Sequence, residues 1–161
     1  MRPNFHLFQL SALWALFWFA KISRAPPPDG TQGRGQAVNV MVGQKGLKFV
    51  PPTVNAVLNE KVTFWFFPKN HTLTQTSLEE PCNPLQGKSS FDSGPISVSM
   101  NSAEFPTQIL TVNTLKPIYF ACLQKMHCEL GMVGGVNLPA SGPGSLEDFT
   151  IRAKATKGKS K

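Results

Sequence analysis

Histidine, cysteine and acidic residues are scarce in this 161-residue chain, which contains three His, three Cys and nine Asp or Glu. No Ser-His-Asp set and no pair of carboxylates stands out, so the side chains that most hydrolases use are not indicated. Few side chains therefore remain that could act as a catalytic acid, base or nucleophile. We therefore expect no enzymatic activity from the chain on its own.

A hydrophobic run long enough for a confident membrane span is also missing. The apolar stretch at residues 10–20 is shorter than the roughly 20 residues that a spanning helix needs. It follows Arg2, and a basic start before a short apolar stretch is typical of a signal peptide. A membrane anchor is the alternative. We expect a signal peptide at residues 1–25, secretion, and a Pro- and Gly-rich spacer at residues 26–36.

The net charge of +7 does not indicate nucleic-acid binding, because the excess lies at the two ends of the chain. Residues 37–138 contain seven Lys or Arg and six Asp or Glu, whereas residues 1–36 and 139–161 each carry a net charge of +3. A basic footprint is therefore absent from the middle of the chain. Residues 139–161 are predicted to be a disordered basic tail. The tail could solubilise the protein or attach to an acidic polysaccharide or membrane surface.

Short β-branched segments separated by Gly, Pro and Asn turns predict an all-β fold, a Greek-key sandwich or barrel, for residues 37–138. The strongest predicted strand is residues 61–67, whose nearly continuous apolar pattern indicates a central strand covered on both faces. Residues 75–106 are predicted to be a long connection with one short helix near residues 78–80. Further strands are predicted at 37–42, 47–50, 53–58, 107–113, 117–121 and 133–138.

Three potential metal ligands lie on the predicted loop between the last two strands. Cys122, His127 and Met132 are spaced Cys-x4-His-x4-Met, and His71 follows the strand at residues 61–67. One thiolate, two imidazoles and a weak thioether are the donor set of a blue-copper site. Zinc is the competing metal, because thiolate and imidazole also suit it. The combination predicts one type 1 copper ion.

The two ligand-bearing segments resemble those of the cupredoxins, with loop spacing closest to the phytocyanin-like branch. The nearest resemblance is to small secreted cupredoxin-like proteins of fungi, and it covers about residues 37–137. It is carried by the motifs at 67–75, 81–85, 117–122, 127–128 and 131–134.

The resemblance implies a role for each ligand. Cys122 would be the covalent link to copper, His71 and His127 the other in-plane donors, and Met132 the weak axial donor. In cupredoxins the histidine of the ligand loop is often nearest to solvent, which implies that the electron leaves through His127.

An odd number of cysteines in a secreted chain leaves one thiol over. The copper interpretation accounts for it, with Cys122 as the ligand and a disulfide between Cys82 and Cys128. The alternative for Cys122 is a buried apolar residue without metal.

Asn70 begins the N-glycosylation sequon Asn-His-Thr, which includes the predicted ligand His71. A glycan there would shade one side of the site. Alternatively the amide is buried and holds the copper loop by hydrogen bonds.

Two functions follow from these observations. The first is a secreted, monomeric one-electron carrier that acts with a redox protein not identified by the sequence. The second is an extracellular or cell-wall binding module in which copper is structural or absent and the partner is a cell-surface component. A trinuclear copper cluster needs many histidines, so a multicopper oxidase is excluded.

Overall fold

The computed structural model describes residues 38–158, and the predicted signal peptide, the whole of the predicted spacer and the last three residues lie outside this range. Within it the chain forms short strands and one α-helix. None of the helices in this part of the chain is long and apolar enough to cross a membrane. The elements, in order, are β1 Val38–Val42, β2 Phe49–Val50, β3 Thr53–Val54, β4 Lys61–Phe66, β5 Lys69–His71, β6 Thr74–Thr76, β7 Ile96–Val98, β8 Thr107–Thr111, β9 Ile118–Ala121, β10 Val133–Val136 and α1 Leu146–Ala155.

The strands form two four-stranded sheets, in the orders β2-β1-β4-β8 and β3-β10-β9-β6, and a two-stranded pair of β5 with β7. Alternate residues of both sheets point into one shared core, as in a sandwich. Phe120 of β9 links the sheets, because its ring meets Phe49 and Phe64 edge-on at centroid distances of 4.9 and 5.3 Å. The predicted all-β sandwich is confirmed.

Strand β4 lies between β1 and β8 in its sheet, as the prediction of a central strand requires. The prediction that both of its faces are covered is wrong. Val62, Phe64 and Phe66 are buried, whereas Lys61 and Trp65 are exposed on the other face. The indole Nε1–H of Trp65 donates to Asn39 Oδ1 at 2.9 Å, so this aromatic lies on the sheet surface.

The predicted disorder of residues 139–161 is contradicted by α1. Ser145 caps the helix by accepting a hydrogen bond from the Asp148 N–H, and the acidic first turn and basic last turn suit the helix dipole. Phe149 and Ala153 are fully buried on one stripe of α1. The high content of charged residues led to the prediction of disorder. Two apolar residues four positions apart are nevertheless sufficient to give a short helix one buried face.

The helix that was expected near residues 78–80 is not present there, where the chain makes bends. The connection instead contributes part of β6 and all of β7. The helix of the described chain therefore follows the last strand, where it packs against β10.

Candidate metal centre

The first predicted ligand, His71, is positioned by strand pairing. It is the last residue of β5 and lies opposite Ile96 of β7 in an antiparallel pair. Its side chain is only 3% exposed. The backbone of Pro68 acts to raise the pKa of the imidazole, against the larger lowering effect of burial. The imidazole is therefore enclosed.

The second ligand segment is a compact loop between β9 and β10. The Cys122 N–H donates to the Met132 carbonyl at 3.0 Å, and the Met132 N–H donates to the His127 carbonyl at 2.9 Å. Turn hydrogen bonds from His127 to Gln124 and from Leu130 to Met126 close the interior of the loop. The ends of the loop are thus tied together by its own backbone.

A disulfide between Cys82 and Cys128 joins this loop to the segment after β6, across a sequence separation of 46 residues. The predicted pairing is confirmed. Helix α1 ends against the bond, since Thr156 Oγ1 at its C-cap lies 3.2 Å from Cys82 Sγ while donating to the Ala153 carbonyl at 2.7 Å. Cys128 packs in a cluster with Phe149 and Ala153 of the helix. Cys122 is left as a free, buried thiol.

The fold brings His71, Cys122 and His127 together, with one potential ligand atom of each within 4.8 Å of the others. Cys122 Sγ lies 3.8 Å from His71 Nδ1 and 3.3 Å from His127 Nδ1. Bond lengths of about 2.0 Å to imidazole and 2.3 Å to thiolate separate such donors by roughly 3.8 Å in a trigonal site. The three side chains therefore fit one metal ion between them.

Comparisons with known proteins agree with this arrangement. No family model matches the chain. A protein of the fungus Arthroderma benhamiae named "Probable GPI-anchored cupredoxin-1" is 31% identical over 108 residues, which is 66% of this chain and 54% of that protein. The two-sheet sandwich, with its thiol and imidazoles on a loop between adjacent strands, is the architecture that this name denotes. The chain has a cupredoxin fold.

Two further similarities were found. An "Extracellular serine-rich protein" of Arthroderma benhamiae is 34% identical over 119 residues, covering 74% of this chain and 45% of that protein. The chain thus spans about half the length of these curated relatives. A purple cupredoxin from Nitrosopumilus maritimus is 12% identical, with a TM-score of 0.47 over 62% of this chain and 96% of that one.

Thr72 connects the two segments that carry the predicted ligands, and this role was not predicted from the sequence. Its N–H donates to Cys122 Sγ at 3.3 Å, and its Oγ1 accepts from the Leu123 N–H at 2.7 Å. Thr74 Oγ1 lies 3.2 Å from Thr72 Oγ1 and donates its proton to Asp92 Oδ1 at 2.9 Å. The only available signal was its position next to His71, where the sequence instead suggested a glycosylation motif.

The surroundings of Cys122 act on its pKa in opposite directions. Burial raises the pKa of the thiol above its ordinary value. Hydrogen bonds from the backbone of Thr72 and Gln124 lower it, but by less than burial raises it. The free thiol is therefore protonated at neutral pH, and its two N–H donors are already aimed at the sulfur that a metal would ionise.

Both imidazoles favour the neutral form, which is the form that binds metals. Burial is the main cause of the lowered pKa of His71, and the neighbouring His127 lowers it further. Burial also lowers the pKa of His127, against an opposing effect of Glu129. The rings face each other at a centroid distance of 5.3 Å. Protonation of either ring would place a positive charge beside the other.

Met132 is fully buried at the end of the ligand loop, next to the first residue of β10. Its N–H hydrogen bond to the His127 carbonyl brings its backbone into the site. The role of its thioether as the weak axial donor stays a prediction.

Asn70 lies in β5 opposite Ser97. Its side-chain Oδ1 is buried without a hydrogen-bond partner in the described chain. Thr72, and not this oxygen, makes the hydrogen bonds between the ligand segments. Glycosylation of Asn70 stays a prediction.

Proposed function

We propose that this chain binds one copper ion through His71, Cys122 and His127, with Met132 as a weak fourth donor, and carries single electrons. The donor set carries the proposal, since a thiolate, two imidazoles and a thioether favour copper over the oxygen-seeking metals. The separations between Cys122 Sγ and the two Nδ1 atoms support it for the first three donors. Bound copper supplies a couple between Cu(I) and Cu(II) that gains or loses one electron.

The protein would keep the donors in one arrangement in both oxidation states. Cys122 and His71 are buried, and Cys122 Sγ accepts an N–H hydrogen bond from Thr72. Buried side chains in a close-packed core have little room to move. A site that does not rearrange has little to reorganise when an electron arrives, which favours rapid transfer.

His127 offers the accessible edge of the site. It is half-buried, whereas His71 is enclosed. Two apolar neighbours on the same loop, Met126 and Leu130, are 47% and 50% exposed. An apolar surround lets a redox partner exclude water at the contact, so we assign this edge to electron entry and exit.

We place the protein outside the cell. Its two fungal relatives are named as extracellular and as GPI-anchored. The Cys82–Cys128 disulfide is of the kind that persists in oxidising compartments. No enzymatic reaction is assigned to the chain by this proposal.

The test is a visible and electron paramagnetic resonance spectrum of the purified full chain after loading with copper(II) and removal of excess metal. We expect intense colour with narrow copper hyperfine splitting, both lost in Cys122→Ser. The matched control is Thr114→Ser, a conservative change at a half-buried loop residue outside the site, which should leave the spectrum unchanged. Pale tetragonal copper, or none bound, would instead support an extracellular module in which copper is structural or absent.

A further inference from the structure

The turn that follows β1 lies directly against the buried ligand His71. Gly43 and Gly46 both adopt a φ of +83°, in the left-handed region that favours glycine. Two hydrogen bonds stabilise the turn, from the Gly43 N–H to the Lys48 carbonyl at 3.0 Å and from the Lys48 N–H to the Gly46 carbonyl at 2.7 Å. The backbone requirement for glycine is therefore the same at both positions.

The two glycines differ in what surrounds them. A Cβ atom added to Gly43 would overlap Nε2 of His71 and would lie 2.6 Å from its Cδ2 and 2.8 Å from its Cε1. A Cβ atom added to Gly46 would have no atom within 4 Å. The imidazole ring thus lies on the bare Cα of Gly43, and a methyl group there would take the space that the ring occupies.

His71 has little freedom to move away from such a methyl group. The residue is 3% exposed, and its backbone is paired with β7. Displacement of the ring would take Nδ1 away from its place 3.8 Å from Cys122 Sγ. The ring is therefore enclosed between the turn and the thiol.

We propose that Gly43 is a positioning residue for the metal centre, since the absence of its side chain sets the place of the His71 ring. This inference rests on the proposed copper function only for the metal that the ring would bind. The contact between Gly43 and His71 exists without metal. Glycine at position 43 is thus required by the ligand as well as by the turn, whereas at position 46 it is required by the turn alone.

The first experiment compares Gly43→Ala with Gly46→Ala, which impose the same backbone strain. With copper bound, we expect Gly46→Ala to retain the wild-type spectrum. Gly43→Ala should lose the narrow hyperfine pattern and bind copper more weakly by roughly 10–100-fold, as when the support of a ligand is removed. Identical spectra and affinities for the two variants would overturn the proposal.

The second experiment needs no metal and therefore separates this inference from the copper function. Thermal unfolding of the metal-free full chain should show a melting temperature for Gly43→Ala about 5 °C or more below that of Gly46→Ala. When His71→Ala is also present, this difference in melting temperature between the two glycine variants should disappear, because the methyl group at position 43 can occupy the space that the imidazole has left. An excess that persists without the imidazole would contradict the proposal.

If Gly43→Ala does not fold, the double variant Gly43→Ala/His71→Ala decides the question. We expect it to fold, since removal of the ring removes the clash. Failure of the double variant, when His71→Ala alone folds, would overturn the proposal. If the wild-type chain binds no copper, the proposed function fails, and these measurements on the metal-free chain still decide the role of Gly43.

Discussion

The segment that carries His71 and the loop that carries His127 are held by different means, although both present Nδ1 to the same thiol. The first is a strand end, paired with β7, bounded by Gly43 and almost fully buried. The second is a loop closed by turn hydrogen bonds, tied by a disulfide and braced by α1, with exposed residues at its tip. Thr72 connects the two.

This difference matches two requirements of the electron-transfer site that we propose. A constant metal geometry would need donors that cannot move, and the strand and the core would supply this at His71 and Cys122. Exchange with a partner would need an edge near solvent, and the loop would supply this at His127 without opening the core. Loops are more mobile than strands because they lack inter-strand hydrogen bonds. The disulfide and the turn hydrogen bonds compensate for this in the loop that carries His127.

The largest expected effect comes from vacating each histidine in turn. In His127→Gly, added imidazole should enter from solvent and restore the thiolate–copper absorption, because His127 is half-buried. In His71→Gly it should not, because that side chain is 3% exposed. Titration of imidazole into each copper-loaded variant measures the contrast. Equal recovery in both would remove the distinction between a buried and an accessible ligand.

Loss of the disulfide should weaken the loop more than the strand. For Cys82→Ala we expect a fall of about 4 kcal/mol in the free energy of unfolding, from the chain entropy that a 46-residue loop restores to the unfolded state. Urea unfolding measures it, and wild-type protein under reducing conditions is the matched control. A change below about 1 kcal/mol would show that the bond does little for this fold.

The docking of α1 is tested by Phe149→Ala. Its ring is fully buried and lies 4.8 Å from the ring of Tyr119. We expect the free energy of unfolding to fall by about 3 kcal/mol, which is at the lower end of the usual range for Phe→Ala substitutions. The effect is at the lower end because a terminal helix can detach from the sheet, so that no cavity is left. Ile151→Ala is the control, since Ile151 is 61% exposed and should change stability by less than about 0.5 kcal/mol. Similar values for both would mean that α1 does not brace the loop.

Thr72→Val should loosen the connection between the two segments. It removes the acceptor of the Leu123 N–H and leaves that donor unsatisfied, at a cost of about 1–3 kcal/mol. Thr72→Ser keeps the hydroxyl and should retain most of the stability. Chemical unfolding of both variants gives the comparison. If valine and serine behave alike, the hydroxyl does not join the segments.

The smallest effect is the pH dependence of the metal-free protein. The folded pKa values of His71 and His127 are lowered from 6.5, so below that pH the unfolded state binds more protons and stability falls. The pKa of Cys122 is raised from 9.0, so above pH 9.0 the unfolded state releases its proton first and stability falls again. We therefore expect a stability maximum between these values. In His71→Ala/His127→Ala the loss on the acid side should shrink, and an unchanged profile would assign it to other groups.

Several features followed from local patterns. The positions of most strands came from β-branched alternation, and the ligand triad and the disulfide came from the types and spacing of a few residues. The predictions were wrong where the burial of a segment depends on what packs against it. The pattern of β4 cannot tell whether a second layer covers Trp65, and the composition of residues 139–161 concealed the buried stripe of α1.

The sequence by itself determined which donors this chain possesses, because thiol, imidazole and thioether are properties of single residues. Only the tertiary structure decided what surrounds them. Thr72 meets Cys122 across 50 residues, and Gly43 touches His71 from the turn after β1, a strand of a different sheet. Such contacts depend on how strands are placed in space, and no local pattern carries that information.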